Sequence, residues 1–311
     1  LNLPNVPVTD IKVHNKDLIV STQGRAFWIL DNISSLHRLS PQTNSSAPEL
    51  FKPRDGYRTR VAPGNLGPAI EYYLPANIAG TVTIEFADAK GALINSYSSE
   101  AETSTGREGR AGAGMPGSGG VTGEPEDPDA PSWRRGGAPP PRVTKLPGRN
   151  RVVWDLRNKD GVTLPPGPYQ VRLKVGDKSL TQTLHVLIDP RVAADGVTVA
   201  DLQEQYEHNM RMRALVNDVN RLVARVREAQ RNSTATAGNG ESLARLNALA
   251  AKLLTEPVRY GKPGLQAHIT YLAGMTANID QKIGRDAIER YAVLKKEFDA
   301  VKAETDQLLG R

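Results

Sequence analysis

The sequence predicts a multidomain β + α protein, and three observations carry that prediction. From Asn150 to Arg191 apolar and polar residues alternate, as they do along strands with one buried face. After Thr198 the apolar spacing lengthens to that of amphipathic helices. Between 99 and 147 there is no period at all, and these 49 residues hold 10 Gly and 8 Pro. Such a stretch buries too little apolar surface to offset the entropy of ordering it.

The alternating stretch resolves into three strands. Val152, Trp154 and Leu156 fall on one side, with Val153, Asp155 and Arg157 on the other. Tyr169, Val171, Leu173 and Val175 oppose Gln170, Arg172 and Lys174, and a third run carries Leu180, Leu184, Val186 and Ile188. Prolines in Leu164–Pro168 interrupt the first pair, since proline fixes φ and has no N–H for a ladder. Gly176-Asp177-Lys178 supplies a hairpin turn. Ahead of the irregular stretch, Ala69–Leu74, Thr81–Ala87 and Leu93–Tyr97 also read as strands. The expected unit is an Ig-like/fibronectin-like β-sandwich over 69–192, interrupted by an insertion at 99–147. Its structural core is expected to include Phe86, Trp154, Tyr169 and Leu173, with Trp154 joining the two halves.

From 193 to 311 the chain is expected to form an antiparallel helical bundle. Thr198-x-x-Asp201 resembles a capping box. Met212, Leu215, Val219, Leu222 and Val226 make one stripe, and Leu243, Leu246, Ala250 and Leu253 a second. A less regular stripe runs from Leu265 to Ile283, and Tyr291, Leu294, Phe298, Val301, Thr305 and Leu308 make the last. Short connections between amphipathic helices favour antiparallel neighbours.

Residues 1–40 read as four short strands: Val6–Val13, Asp17–Thr22, Ala26–Asp31 and Leu36–Leu39. That is the size of one β-propeller blade, which cannot cover both its faces or its edges alone. Trp28 is expected in its core, and 41–68 reads as a linker. The segment KDLIVSTQGRAFWILDNIS, then Glu49–Arg58, Trp154–Arg157, Pro166–Leu173 and Asp189–Arg191, in that order, resembles the C-terminal part of secreted BNR-repeat, sortilin-like β-propeller proteins. Those proteins are often labelled glycosyl hydrolases. Gln23 stands where that family usually has His. The resemblance implies that 1–40 is a closing blade of an incomplete propeller, completed by upstream blades or by another chain. It also implies secretion, or a place in the periplasm or cell envelope of a bacterium.

Composition narrows the chemistry. Zero cysteines among 311 residues remove disulfides, thiolate zinc sites and a cysteine nucleophile. No run of eighteen apolar residues predicts a transmembrane helix. The chain opens Leu-Asn-Leu-Pro, without an initiator Met or signal peptide, and reads as a processed or truncated product. A net charge of +6 is mild for this length and predicts a solvated surface with no nucleic-acid partner. The arginines between Arg211 and Arg231 are read the same way, as a solvated helix face. Gly112–Gly117 has the letters of a dinucleotide loop but no helix behind it. Arg134-Arg135-Gly136-Gly137 beside Trp133 is a single copy of an RNA-type pattern. His14, His37, His185, His208 and His268 show no metal-ligand spacing. No metal, cofactor or catalytic residue is predicted. Asp155 and Arg157 read as an ion pair on the outer face of a strand, and Arg25, in the turn of the blade, is the residue assigned to possible ligand binding.

The expected function is that of a non-catalytic structural and interaction region. Its partners would be the missing blades, with a further protein or a glycan as possible ligands. The alternatives are the tail of a glycoside-acting hydrolase with its active site upstream, and a scaffold subunit of an envelope complex. Whether the whole protein is an enzyme stays open at this level.

Overall fold

A computed structural model describes residues 5–38, 47–59, 67–76, 78–100, 142–235, 240–256 and 261–310. Of the insertion expected at 99–147, residues 101–141, with Trp133 and both glycine-rich motifs, lie outside the described residues, as does Leu39. The chain is a multidomain β + α protein with sheets in its N-terminal half and helices in its C-terminal part.

The first sheet is an antiparallel meander of β1 (Val8–His14), β2 (Asp17–Thr22) and β3 (Phe27–Leu30). The fourth strand expected from Leu36 does not form; Ile33–Arg38 is a 3-10 helix. Asn32 explains the change, because its φ of 56° takes the chain out of extended geometry. Its N–H donates to Asp17 Oδ1 at 2.9 Å, and Ile33 N donates to Lys16 O at 2.8 Å.

Two further sheets enclose one core. The three-stranded sheet has the order β4 (Glu49–Leu50), β6 (Ala69–Leu74), β9 (Gly148–Val153). The five-stranded sheet runs β5 (Gly56–Arg58), β11 (Lys178–Ile188), β10 (Gly167–Val175), β7 (Val82–Ala87), β8 (Leu93–Ser98). β4 and β5 thus come from the segment read as a linker, and β5 pairs parallel with β11. Ile70, Tyr72, Leu74 and Val152 of one sheet meet Val82, Ile84, Phe86, Val171, Leu173 and Leu184 of the other. Trp154 is fully buried between them, stacked on Phe86 at 4.0 Å and edge-on to Tyr169 at 5.5 Å.

The stretch 150–188 is split between both sheets, which the alternation alone does not reveal. Trp154 and Leu156 keep the inward pattern but lie beyond β9. Leu156 adopts φ 55° and turns the chain back, so that Leu164 N donates to Leu156 O at 2.8 Å. Gly67 makes room for this turn: a Cβ there would sit 1.3 Å from the Trp154 carbonyl oxygen. Asp155 makes no ion pair with Arg157 among the described residues. It accepts instead from Tyr97 Oη and from the Arg157 backbone N–H, because the local turn points its carboxylate back at the chain.

After a short α1 (Pro190–Ala194) come α2 (Val199–Ala235), α3 (Gly240–Leu253), α4 (Leu265–Ala277) and α5 (Arg285–Leu308). The capping box forms: Asp201 N donates to Thr198 Oγ1, and Thr198 N and Oγ1 both donate to Asp201. The bundle is not antiparallel throughout. Contacts of α2 with α5 climb together, from His208–Tyr291 to Arg225–Asp306, so these two helices run parallel. α3 and α4 are both antiparallel to α2 and follow one another along it, as Gln230–Asn247, Asn220–Gln266 and Gln205–Thr276 show. Gly264 permits this succession, because a Cβ would stand 2.4 Å from the Leu254 carbonyl carbon and 2.6 Å from Leu253 O. The start of α4 therefore abuts the end of α3, and the pair forms one broken leg beside the ~55 Å of α2.

Candidate functional site

The meander is the part of the chain whose surface is unlike that of a finished domain. Cross-strand register places Ile11 beside Val20 beside Trp28, and Val13 beside Leu18 beside Leu30. Residues opposite each other share a face, so one face of this sheet is apolar across all three strands. The other face mixes Asp10, Lys12 and Asp17 with Ile19, Phe27 and Ile29. Ile11 is 60% exposed, Val13 58%, Phe27 74% and Ile29 62%. The outer edges of β1 and β3 pair with no strand among the described residues. Trp28, expected in a core, is only half-buried, because no second described layer covers its face.

Arg25 lies in the turn between β2 and β3, where Gly24 and Ala26 have φ of 75° and 61°. The Trp28 indole donates to Arg25 O at 2.9 Å, and Thr22 N and Oγ1 both donate to Ala26 O. The turn is thus fixed through its backbone while the Arg25 side chain is exposed and makes no ion pair among the described residues. Trp28 is the assigned residue beside it; Phe86, Trp154, Tyr169 and Leu173 lie elsewhere, in the sandwich core.

The meander meets the sandwich through charge. Arg54 pairs with Asp17 at 2.9 Å, and Arg151 lies 3.7 Å from Asp31. The Asn32 N–H, aided by Arg54, holds the Asp17 carboxyl below its ordinary range. Exposed pairs of this kind contribute little to stability.

The sandwich and the helices meet differently. Arg58, on β5, is 1% exposed. Its Nε and Nη2 donate to Asp280 Oδ1 at 3.2 and 2.8 Å, Nη2 also to Gln205 Oε1 at 2.7 Å, and Nη1 to Leu164 O at 3.2 Å. Gln205 in turn donates to the carbonyls of Thr276 and Ile279, capping the otherwise orphaned end of α4. This is a buried, well-satisfied clasp between β5, α2 and the segment after α4. Sequence reasoning missed it: Arg58 stood in the Glu49–Arg58 motif, but nothing local marks its partners Gln205 and Asp280.

A shallow hollow of about 500 Å³ beside β11 is lined by Tyr57, Pro168, His185, Leu187, Pro190 and Val199, and its walls offer little but apolar surface. No group of three His, Cys, Asp or Glu among the described residues could hold a metal ion. Asp189 is held well below the usual carboxylate range by Arg191, with help from Thr59, and its carboxylate caps α1 by accepting from Arg191 N. Burial pushes the Tyr169 phenol upward, and its hydroxyl donates to Pro165 O. Both shifts belong to structural contacts.

No family model matches the chain, and no curated protein matches it significantly. Among solved structures, PorZ of Porphyromonas gingivalis, described as an essential bacterial surface component of a type-IX secretion system, aligns with 58% of this chain at 16% identity. The TM-score is 0.22, and the chain spans 23% of that structure's length. A superposition of that quality fixes neither fold nor partner. No described helix is long and apolar enough to cross a membrane.

Proposed function

We propose that this chain is a non-catalytic structural and interaction region, in which a rigid sandwich-and-helix body carries an unfinished β-sheet to its partner. The observation that carries this reading is the meander face formed by Ile11, Val13, Leu18, Val20, Trp28 and Leu30. It is apolar in register, Ile11 and Val13 on it are more than half exposed, and the outer edges of β1 and β3 pair with no strand among the described residues. Three strands are the fewest that stand alone in water, and an exposed apolar face of this kind calls for an apolar cover.

In this reading 1–40 is a blade of a β-propeller whose other blades lie outside the chain, and the sheets over 69–192, with β4 and β5, form an Ig-like sandwich that props it. Residues 193–311 brace that sandwich from the side. The likeness of the motifs to sortilin-like propeller proteins supports the assignment and supports a location outside the cytoplasm of a bacterium, secreted or in the envelope. The wider role is that of a scaffold in an envelope assembly.

Limited trypsinolysis of the isolated chain tests the reading. Lys12, Lys16 and Arg25 should be cut early, while Lys174, in the centre of the five-stranded sheet, persists. Equal persistence of these sites would show that the meander is complete without a partner, and the reading would fall.

A further inference from the structure

His208 lies inside the helical region, 1% exposed, one turn along α2 from Gln205 of the clasp. Neither ring nitrogen has a hydrogen-bond partner among the described residues. Its ring meets Tyr291 of α5 edge-on at 5.9 Å, and the Arg211 guanidinium stands 5.7 Å over that same Tyr291 ring. The next residue, Asn209, donates to Thr276 O, the carbonyl that Gln205 also caps. The turn of α2 that seats His208 against α5 therefore also holds the end of α4 and, through Gln205, Arg58.

We infer that His208 is an acid-sensitive pin. When it takes a proton, the first turns of α2 lift from α4 and α5, and the Arg58–Asp280 clasp between sandwich and helices opens. A buried imidazolium without an acceptor or counter-ion is strongly disfavoured. The groups around it offer no relief. On α2 the charge that acts on it is the cation Arg211, on α5 it faces the phenol of Tyr291, and Asp280, after α4, is already paired with Arg58. Burial first, and Arg211 second, lower its pKa in the closed state. The open state thus binds the proton more readily. Closure is complete above the ordinary histidine pKa and weakens as pH falls below it.

The experiment follows hydrogen exchange of the 199–212 segment in the full chain from pH 7.5 to 5.0, corrected for intrinsic exchange chemistry. The same is done for His208→Leu and, as a second variant, His208→Gln. In the wild type, opening should increase by up to about tenfold per pH unit below about pH 6.5, while in the variants it stays flat. The same pH slope in wild type and variants would overturn the proposal. An NMR titration of the histidine ring signals needs no variant. The His208 signal should stay that of the neutral ring while the segment is closed, with exposed His14 and His185 as references. Reversible protonation of His208 near pH 6.5 with exchange protection unchanged would equally overturn it.

Discussion

The sandwich and the meander use the same residue types to opposite ends. In the sandwich, Phe86, Trp154 and Leu173 are fully buried between two sheets. In the meander, Ile11, Val13, Phe27 and Ile29 stand more than half exposed on a sheet that no described layer covers. Both obey the two-residue period of strands. The difference is whether the described residues supply a second layer, as they do for the sandwich and do not for the meander.

Substitutions that break this contrast should fall in a clear order. Trp154→Ala removes the ring that stacks on Phe86 and meets Tyr169, and should cost about 3–5 kcal/mol in denaturant unfolding. Next, Arg58→Ala leaves Asp280 buried without its cation and should cost about 3 kcal/mol or more. In calorimetry it should also separate helix melting from sandwich melting. Replacing both partners, Arg58→Met with Asp280→Leu, should cost clearly less than Arg58→Ala, since no charge is then stranded. Thr198→Ala removes the N-cap of α2 and should lower stability by about 1 kcal/mol. At the small end, Ile11→Lys with Val13→Lys should shift the unfolding of the isolated chain by less than about 0.5 kcal/mol, because both side chains are exposed. A large loss from that pair would mean that the meander already has its cover.

Much of this was legible from local pattern. The β7 and β10 strands, the Gly176 hairpin, the Thr198 cap and the α2 stripe all follow from periods and turn chemistry close in sequence. What was not legible depends on contacts far apart in the chain. Arg58 and Asp280 are separated by 222 residues, and an arginine after a tyrosine in a short strand gives no sign of burial. The reversal at Leu156 needed Gly67, which precedes the neighbouring strand β6 and is far away in sequence. The parallel course of α5 with α2 follows from Gly264 closing on α3, which helical periodicity does not encode. The missing fourth strand of the meander turned on a single residue, Asn32, in a left-handed conformation.

The central claim is that one chain holds a closed body and an open sheet, and amide hydrogen exchange on the isolated chain at neutral pH tests it most directly. The account predicts that amides of β2, the central strand of the meander, exchange at least about a hundredfold faster than those of β10, the central strand of the sandwich. Protection of β2 equal to that of β10 would contradict it, because the meander would then be stable on its own and its apolar face would need no partner.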